Sequence, residues 1–148
     1  MATTEERNTE LMQTLDDGWN SQDEEVFRAG HKPDVVVHWP GRPEPTRGIE
    51  DHTQESRWMW EAFPDQHVDN RPYKVFLASG DWTCSISRFT GTHTGPFKQW
   101  DGSEIPPTNK PFEIDVFTVA RWDNGQIAEE YLMYDLVTFL QQLGVSGG

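Results

Sequence analysis

The chain has 148 residues, of which 25 are acidic and 12 are basic, so its formal net charge is −13. This negative charge disfavours partners rich in phosphate, and we expect no nucleic-acid partner and no binding to a membrane surface. Seven Trp, eight Phe and three Tyr residues favour a packed domain over a disordered chain. The length predicts a single domain over residues 1–148, with frayed ends at 1–3 and 145–148.

The cysteine content and the first residues predict a cytoplasmic protein. Cys84 is the only cysteine, so no disulfide can form within the chain. The first residues, MATTEER, lack the basic and apolar regions of a signal peptide. No apolar run approaches the ~18 residues that a membrane-spanning helix needs.

The first half of the chain predicts mainly helices. Apolar residues at helical spacing predict an amphipathic helix over 4–19, followed by a short helix over 22–30. The β-branched run at 34–39 predicts a strand, and the prolines of 40–47 predict a loop. A second amphipathic pattern predicts a long helix over 49–63, which ends before Pro64.

The second half changes to the alternating pattern of strands. A loop rich in proline and glycine, 95–110, interrupts it and is expected to cover a site at the rim. Asp135 is suited to cap a C-terminal helix over 136–143. The predicted strands cover 67–79, 81–92, 111–122 and 126–134.

Helices followed by an antiparallel meander predict an α+β fold rather than a parallel α/β sheet. A sheet of this length bends. Because the helices can fill only one end of its concave side, we expect a cone-shaped pocket at the other end.

Five short runs in the sequence are AFPDQHV at 62–68, GTHTG at 91–95, IPPT at 105–108, NGQIAEEY at 124–131 and LQQLG at 140–144. Together these runs resemble the SnoaL-like polyketide cyclase family of the nuclear transport factor 2-like superfamily. The resemblance implies a cone-shaped curved antiparallel sheet packed on N-terminal helices, a C-terminal helix and a homodimer. It does not imply one chemistry, because the superfamily includes cyclases, isomerases, dehydratases, hydrolases and binding proteins.

The acid and base positions of these relatives do not carry over. The resemblance places Leu132 at the catalytic aspartate of the cyclases and Thr118 at their histidine. Against ketosteroid isomerase, it places Trp39 at the base and Leu15 at the oxyanion-hole tyrosine. Leucine cannot transfer a proton, so an enzyme with this sequence must hold its acid and base elsewhere in the pocket.

Glu130 and His52 are the candidate catalytic residues. Strand alternation points Glu130 inward, where a carboxylate among aromatic rings would have a raised pKa and could act as a base. His52 lies on the apolar face of the long helix and could be its acid–base partner. The alternatives are that Glu130 pairs with a basic residue or lies on an exposed edge, and that His52 is a core histidine bound to backbone.

The candidate substrate-binding residues are three tryptophans and several side chains of the sheet. Indole rings can stack on a flat substrate; the alternative is that several of them belong to the core or to a dimer contact. Thr118 and Tyr134 could donate hydrogen bonds to a developing oxyanion. His38 is included, although it alternates with Trp39 and the resemblance favours Trp39 as the inward residue. The full set is Trp39, Trp60, Trp100, Thr118, Leu132, Tyr134 and His38.

The sequence predicts no metal and no organic cofactor. The five histidines show no close pair of the kind that begins a metal site, and no nucleotide-binding or haem motif is present. On the third predicted strand, Thr83, Ser85 and Ser87 are expected inside. An apolar outer face then remains for a homodimer, whereas a reversed register would turn that face into the pocket.

These features predict a cofactor-independent enzyme that uses general acid–base catalysis. It would act as a lyase, cyclase, isomerase or dehydratase on an aromatic or polycyclic hydroxy or carbonyl compound. The alternatives are a non-catalytic protein that binds a hydrophobic ligand and, with less support, a metal-assisted lyase or hydrolase that uses histidines.

Overall fold

The computed structural model describes residues 1–145, and the expected fraying of 146–148 lies outside the described residues. Four helices are present: α1 (Thr4–Asn20), α2 (Glu24–Ala29), α3 (Ile49–Ala62) and α4 (Leu136–Gln142). The strands are β1 (His31–His38), β2 (Thr46–Arg47), β3 (His67–Val68), β4 (Val75–Ser79), β5 (Trp82–Thr92), β6 (Phe97–Lys98), β7 (Glu104–Ile105), β8 (Pro111–Asp123) and β9 (Gln126–Met133).

Capping side chains begin three of the helices. The hydroxyl of Thr3 accepts a hydrogen bond from the backbone N–H of Glu6 at the start of α1. Asp23 caps α2, and Asp135 caps α4 as the sequence predicts. At the other end, the N–H of Val145 donates to the carbonyl of Leu140, so the chain remains hydrogen-bonded at residue 145.

One large sheet has the strand order β2-β1-β9-β8-β5-β3, and β4 pairs with β5 beyond the end of β3. The α+β fold is confirmed, with one difference in the sheet: β1 runs parallel to β9, so the sheet is mixed. The predicted strand 67–79 is divided into β3 and β4, and Pro72 between them has no N–H to donate to a neighbouring strand. The two predicted loops contain the short strands β2, β6 and β7.

Register decides which side chains face the helices. Ser85, Thr118 and Leu132 form one row across β5, β8 and β9, and Thr83, Ala120 and Glu130 form the next. Both rows lie on the inner face, so the register expected for β5 is confirmed. An irregularity after Arg121 places Ile127, rather than Ala128, in the core.

Helices α1–α3 pack across the inner face, and two groups of buried apolar side chains result. One lies near β1 and the end of β8, and includes Met12, Leu15 and Trp122. The other lies near α4 and includes Phe63 and Phe139. The groups leave a cavity where they meet, as expected for a cone-shaped sheet. None of the helices in the described part of the chain is long and apolar enough to span a membrane.

Candidate functional site

An inner chamber lies between α1, α3 and the inner face of the sheet, with a volume of about 80 Å³. Most of its wall is apolar, so charged groups inside it interact strongly. It is lined by Met12, Leu15, Asp16, Trp19, Phe27, His31, Trp39, His52, Met59, Val68, Phe89, Val116, Thr118, Glu130, Leu132 and Tyr134.

An outer chamber of about 460 Å³ lies beside it and is rich in aromatic side chains. Trp39, Met59 and Tyr134 line both chambers. Trp58 and Trp100 form another part of the wall, with ring centroids 4.7 Å apart. The outer volume is within the range of roughly 300–1,000 Å³ that is usual for small-molecule sites.

His31, His52 and Glu130 meet at the wall of the inner chamber. The Nε2 atoms of His31 and His52 lie 3.0 and 2.9 Å from the same carboxylate oxygen, Oε1 of Glu130. All three residues are only 2% exposed. They come from the starts of β1 and α3 and from the middle of β9, so the fold brings together residues that are distant in sequence.

The other ring nitrogens of both histidines also face acceptors. Nδ1 of His31 donates to the carbonyl of Phe27 over 2.6 Å, and Nδ1 of His52 lies 3.2 Å from Oε1 of Glu55. An imidazole that faces two acceptors must carry both protons, or bind another cation, to satisfy them. The cluster is therefore compatible with two imidazolium–carboxylate pairs.

This pairing changes the acid–base properties expected from the sequence. Burial alone would raise the pKa of Glu130, but the charges and hydrogen bonds of His31 and His52 hold that pKa well below its usual range. The prediction of a raised pKa for Glu130 is therefore wrong, and its alternative, pairing with a basic residue, is present. Burial alone would lower the pKa of His52, but hydrogen bonds and charges from Glu130 and Glu55 raise it to about 9.

Glu55 joins this cluster to the loops around the outer chamber. Its carboxylate accepts hydrogen bonds from the indole N–H groups of Trp39, at 3.0 Å, and Trp100, at 2.7 Å. Arg42 and Thr46 donate to it as well, at 2.8 and 2.7 Å. Burial opposes the ionised form, but these donors and His52 hold the pKa of Glu55 below its usual range.

Asp16 is a separate carboxylate in the inner chamber. Its Oδ2 accepts a hydrogen bond from the hydroxyl of Tyr73 over 2.7 Å. Burial and the negative charges of Glu130 and Asp17 raise the pKa of Asp16 to about 7, although the Tyr73 hydrogen bond opposes the shift. Asp16 can therefore gain or lose a proton near neutral pH.

Four predicted binding residues line the inner chamber. Thr118 and Leu132 are direct partners across β8 and β9, and both line the inner chamber. Tyr134 lines both chambers, and burial, together with the charge of Glu55, raises its pKa to about 12. Its hydroxyl therefore stays protonated at neutral pH. Trp39 borders both chambers, which supports the inward orientation expected for it.

Trp100, Trp60 and His38 lie in three different environments. Trp100 belongs to the outer chamber only, at the tip of the β6–β7 hairpin. Trp60 lines neither chamber, because it packs in the core against Trp19 with ring centroids 5.3 Å apart. His38 lies on the outer face, where it stacks on Tyr131 and bonds Glu129, because its neighbour Val37 takes the inward position. The expected pocket positions of Trp60 and His38 are therefore corrected.

The sequence contains partial signals for two of the three functional residues that the prediction did not include. Glu55 follows His52 by three positions in one helix, so both lie on the same face. Asp16 follows Met12 by four positions and borders the apolar stripe of α1. No comparable signal marks His31, which lies before the predicted strand 34–39 and two residues before a proline.

One group of three side chains within residues 1–145 has the composition and proximity of a metal site. It consists of His31, His52 and Glu130, with one ligand atom from each residue within 4.8 Å of the others. Two imidazoles and one carboxylate suit a transition metal. The sequence-based expectation of no metal overlooked this group because its members are 21 and 78 residues apart along the chain.

Solved structures of similar shape support the same fold. A protein from Jannaschia sp. CCS1 assigned to the SnoaL-like polyketide cyclases has 25% identity and a TM-score of 0.83, with coverage of 97% of this chain and 95% of that one. IdmH from Streptomyces antibioticus, assigned as a polyketide cyclase, has 29% identity and a TM-score of 0.74, with coverage of 93% and 99%. A Catenulispora acidiphila protein with a ketosteroid isomerase-like fold, crystallised with trimethylamine, has 15% identity, a TM-score of 0.73 and coverage of 92% and 93%.

No curated protein matches the chain at a significant level. The model of the SnoaL-like polyketide cyclase family matches residues 9–143, which run from within α1 to the end of α4. The chain therefore belongs to the SnoaL-like polyketide cyclase family.

Proposed function

We propose that this protein is a small-molecule enzyme in which Asp16 is the general base. Its substrate is an aromatic or polycyclic hydroxy or carbonyl compound whose reactive end enters the inner chamber. The observation that carries the proposal is the Asp16 carboxylate on the wall of the inner chamber, which also holds the buried cluster of His31, His52 and Glu130. Burial raises the pKa of this carboxylate to about 7. Proton transfer from a carbon next to a carbonyl would begin a cyclisation, isomerisation, elimination or retro-aldol cleavage.

Asp16 meets the requirements of a base better than Glu130 does. A base works best when its pKa lies near the working pH, because it is then both ionised and basic. Glu130 remains ionised, but its pairing with two histidines makes it a weak proton acceptor. In the proposed reaction Glu130 and His52 form the charged wall of the chamber, and Glu130 acts by positioning the imidazoles.

Proton removal also requires hydrogen-bond donors that stabilise the developing oxyanion of the substrate. Thr118 and Tyr134 line the inner chamber with Asp16, and no partner for their hydroxyl groups lies within residues 1–145. Donors without a protein partner are available to a substrate oxygen. The aromatic walls at Trp39 and Trp100 suit a flat ring in the outer chamber.

A direct test uses nitrobenzisoxazole, a flat bicyclic compound that reports on a carboxylate base. The base removes the proton from the ring C–H, its electron pair forms the nitrile, and the N–O bond breaks to release a coloured phenolate. We expect the wild-type rate to rise through pH 7 and the Asp16→Asn rate to fall by about 10²-fold or more. The rate is measured as phenolate absorbance against pH.

Asp17→Asn is the matched control, because Asp17 is the next residue in α1 but is exposed and paired with Arg71. Its rate should stay within about threefold of wild type. Tyr73→Phe removes a donor to the Asp16 carboxylate, so the pKa of Asp16 and the midpoint of the pH profile should rise. Equal rates for wild type and Asp16→Asn would refute the assignment of the base.

A non-catalytic binding protein is the second candidate. It is supported by the resemblance, which places Thr118 and Leu132 at the acid–base positions of the cyclases; the two residues are partners across β8 and β9. A binding protein would take up a flat phenol with similar affinity in the wild type and in Asp16→Asn, whereas Trp39→Ala would weaken binding. Trp fluorescence quenching by a naphthol measures both affinities.

The homodimer stays a prediction. Leu77, Phe117 and Met133 on the outer face are 63%, 42% and 36% exposed, and ion pairs such as Lys74–Asp115 lie beside them. A second copy of this chain could cover the apolar strip and match charges of both signs around it. Light scattering after size exclusion should give twice the chain mass of 17.1 kDa, and Phe117→Lys should reduce it to one chain mass.

A further inference from the structure

We propose that His31, His52 and Glu130 bind one divalent transition-metal ion of intermediate hardness, such as Zn²⁺, Fe²⁺ or Co²⁺. This inference goes beyond the proposed function, which assigns the base to Asp16 and involves no metal. It also departs from the absence of a metal expected from the histidine spacing.

The distances between the three ligand atoms suit a metal ion. Bonds of about 2.0–2.2 Å at angles between a right angle and the tetrahedral value place ligand atoms about 2.8–3.6 Å apart. The Nε2 atoms of His31 and His52 already lie 3.0 and 2.9 Å from Oε1 of Glu130. A cation could therefore replace the two hydrogen bonds after small side-chain shifts.

The far sides of both imidazoles are held as they are in many metal sites. Nδ1 of His31 donates to the carbonyl of Phe27, and Nδ1 of His52 faces the carboxylate of Glu55. Such contacts favour the tautomer whose proton is on Nδ1 and whose lone pair is on Nε2. Both Nε2 atoms then point toward the same place beside Glu130.

The charge balance of the buried cluster also permits a metal. With two imidazolium rings, the wall of the chamber holds two positive charges against Glu130 and Glu55. A divalent ion bound to neutral imidazoles supplies the same two positive charges. The metal therefore adds no uncompensated charge to the interior, which would be unfavourable at groups that are only 2% exposed.

Three protein ligands leave at least one coordination position free. His31, His52 and Glu130 all line the inner chamber, so we infer that a free position faces this space and takes water or a substrate oxygen. Two nitrogen ligands disfavour Mg²⁺ and Ca²⁺, which prefer oxygen ligands.

Cobalt binding to the full chain, purified without a tag and stripped with a chelator, tests the site. After incubation with Co²⁺ and desalting, elemental analysis should find one ion per chain, with a visible absorption band of four- or five-coordinate Co²⁺. Zn²⁺ should abolish the band and Mg²⁺ should not. No retained cobalt and no band at millimolar Co²⁺ would overturn the proposal.

Variants and NMR show where the ion binds. His31→Ala should lose the bound cobalt, whereas His38→Ala should keep it, because His38 makes a similar pair with Glu129 on the outer face. Should His31→Ala fail to fold, wild-type imidazole ¹⁵N NMR with Zn²⁺ still decides the matter. The proposal requires shifts at His31 and His52, and shifts only at His38, His67 or His93 would contradict it. Loss of metal binding leaves the Asp16 assignment intact, provided that the nitrobenzisoxazole test is run on the chelator-treated protein.

Discussion

Glu129 and Glu130 are consecutive residues of β9, and each lies 2.9 Å from a histidine nitrogen, yet the two pairs differ in setting. Glu129 faces outward to His38, and their side chains are 28% and 27% exposed. Glu130 faces inward to His52 and His31, and its side chain is 3% exposed. Water screens the outer pair, whereas the inner one must satisfy its charges within the protein. Strand alternation thus gives the same two residue types a weak contact on one face and a strong electrostatic cluster on the other.

The largest change in stability is expected when the Glu130 carboxylate is removed. Glu130→Gln leaves two buried imidazoles without their shared anion, and we expect the free energy of unfolding to fall by about 3–5 kcal/mol at pH 7. Urea denaturation followed by circular dichroism measures it. A loss below about 1 kcal/mol would mean that the inner cluster is no stronger than an exposed pair.

Part of the inner cluster could be predicted from the sequence, and part could not. Alternation along β9 placed Glu130 inside and helical spacing placed His52 on the inward face, so both reach the chamber wall as predicted. His31 could not be predicted, because its position depends on β1 pairing in parallel with β9, a contact between residues about 100 apart. Burial alone would raise the pKa of Glu130, as the sequence predicts, but the charges and hydrogen bonds of His31 and His52 together lower it.

The fold was more predictable than the chemistry for a related reason. Helices, strands and caps arise from local patterns, such as Asp135 before α4, and small errors at their ends do little harm. The pKa of a buried group depends on every charge within a few ångströms, including charges brought by remote elements. Asp16 illustrates this dependence: burial raises its pKa, and Tyr73 and Glu130, which lie 57 and 114 residues away, change it further.

The second-largest change is a loss of stability at alkaline pH, which results from deprotonation of His52. The pKa of His52 rises from 6.5 to about 9 in the folded protein. The folded state therefore holds the proton more tightly, and this stabilisation is complete below pH 6.5 and lost as the pH rises through 9. We expect the free energy of unfolding to fall by about 2–3 kcal/mol over that range.

The pH dependence of urea denaturation measures this loss. His38→Ala, on the outer face, should show the same fall as wild type, while His52→Gln should show a smaller one. A wild-type stability that is constant between pH 6.5 and 9 would contradict the raised pKa of His52.

The third effect has the opposite sign, because the carboxylate of Asp16, which we propose as the base, destabilises the folded state when it is ionised. The pKa of Asp16 is raised from 3.8 to about 7, so its stabilising contribution below pH 3.8 is lost as the pH rises through 7. Asp16→Asn keeps an acceptor for Tyr73 without the charge. We expect it to be more stable than wild type by about 1–2 kcal/mol at pH 8 and to lose catalysis. Reduced stability of Asp16→Asn at pH 8 would argue against the raised pKa.

The smallest effect is expected from the outer pair. Glu129→Gln and His38→Ala should each change the free energy of unfolding by about 0–1 kcal/mol, since water can solvate the remaining partner. Added salt should reduce the difference further, because it screens exposed charges. In Glu130→Gln the loss should persist at high salt, as the buried imidazoles are out of reach of the counterions. Urea denaturation at low and high salt compares the two faces. Similar salt sensitivity on both would mean that burial does not separate Glu129 from Glu130 in the way their exposures indicate.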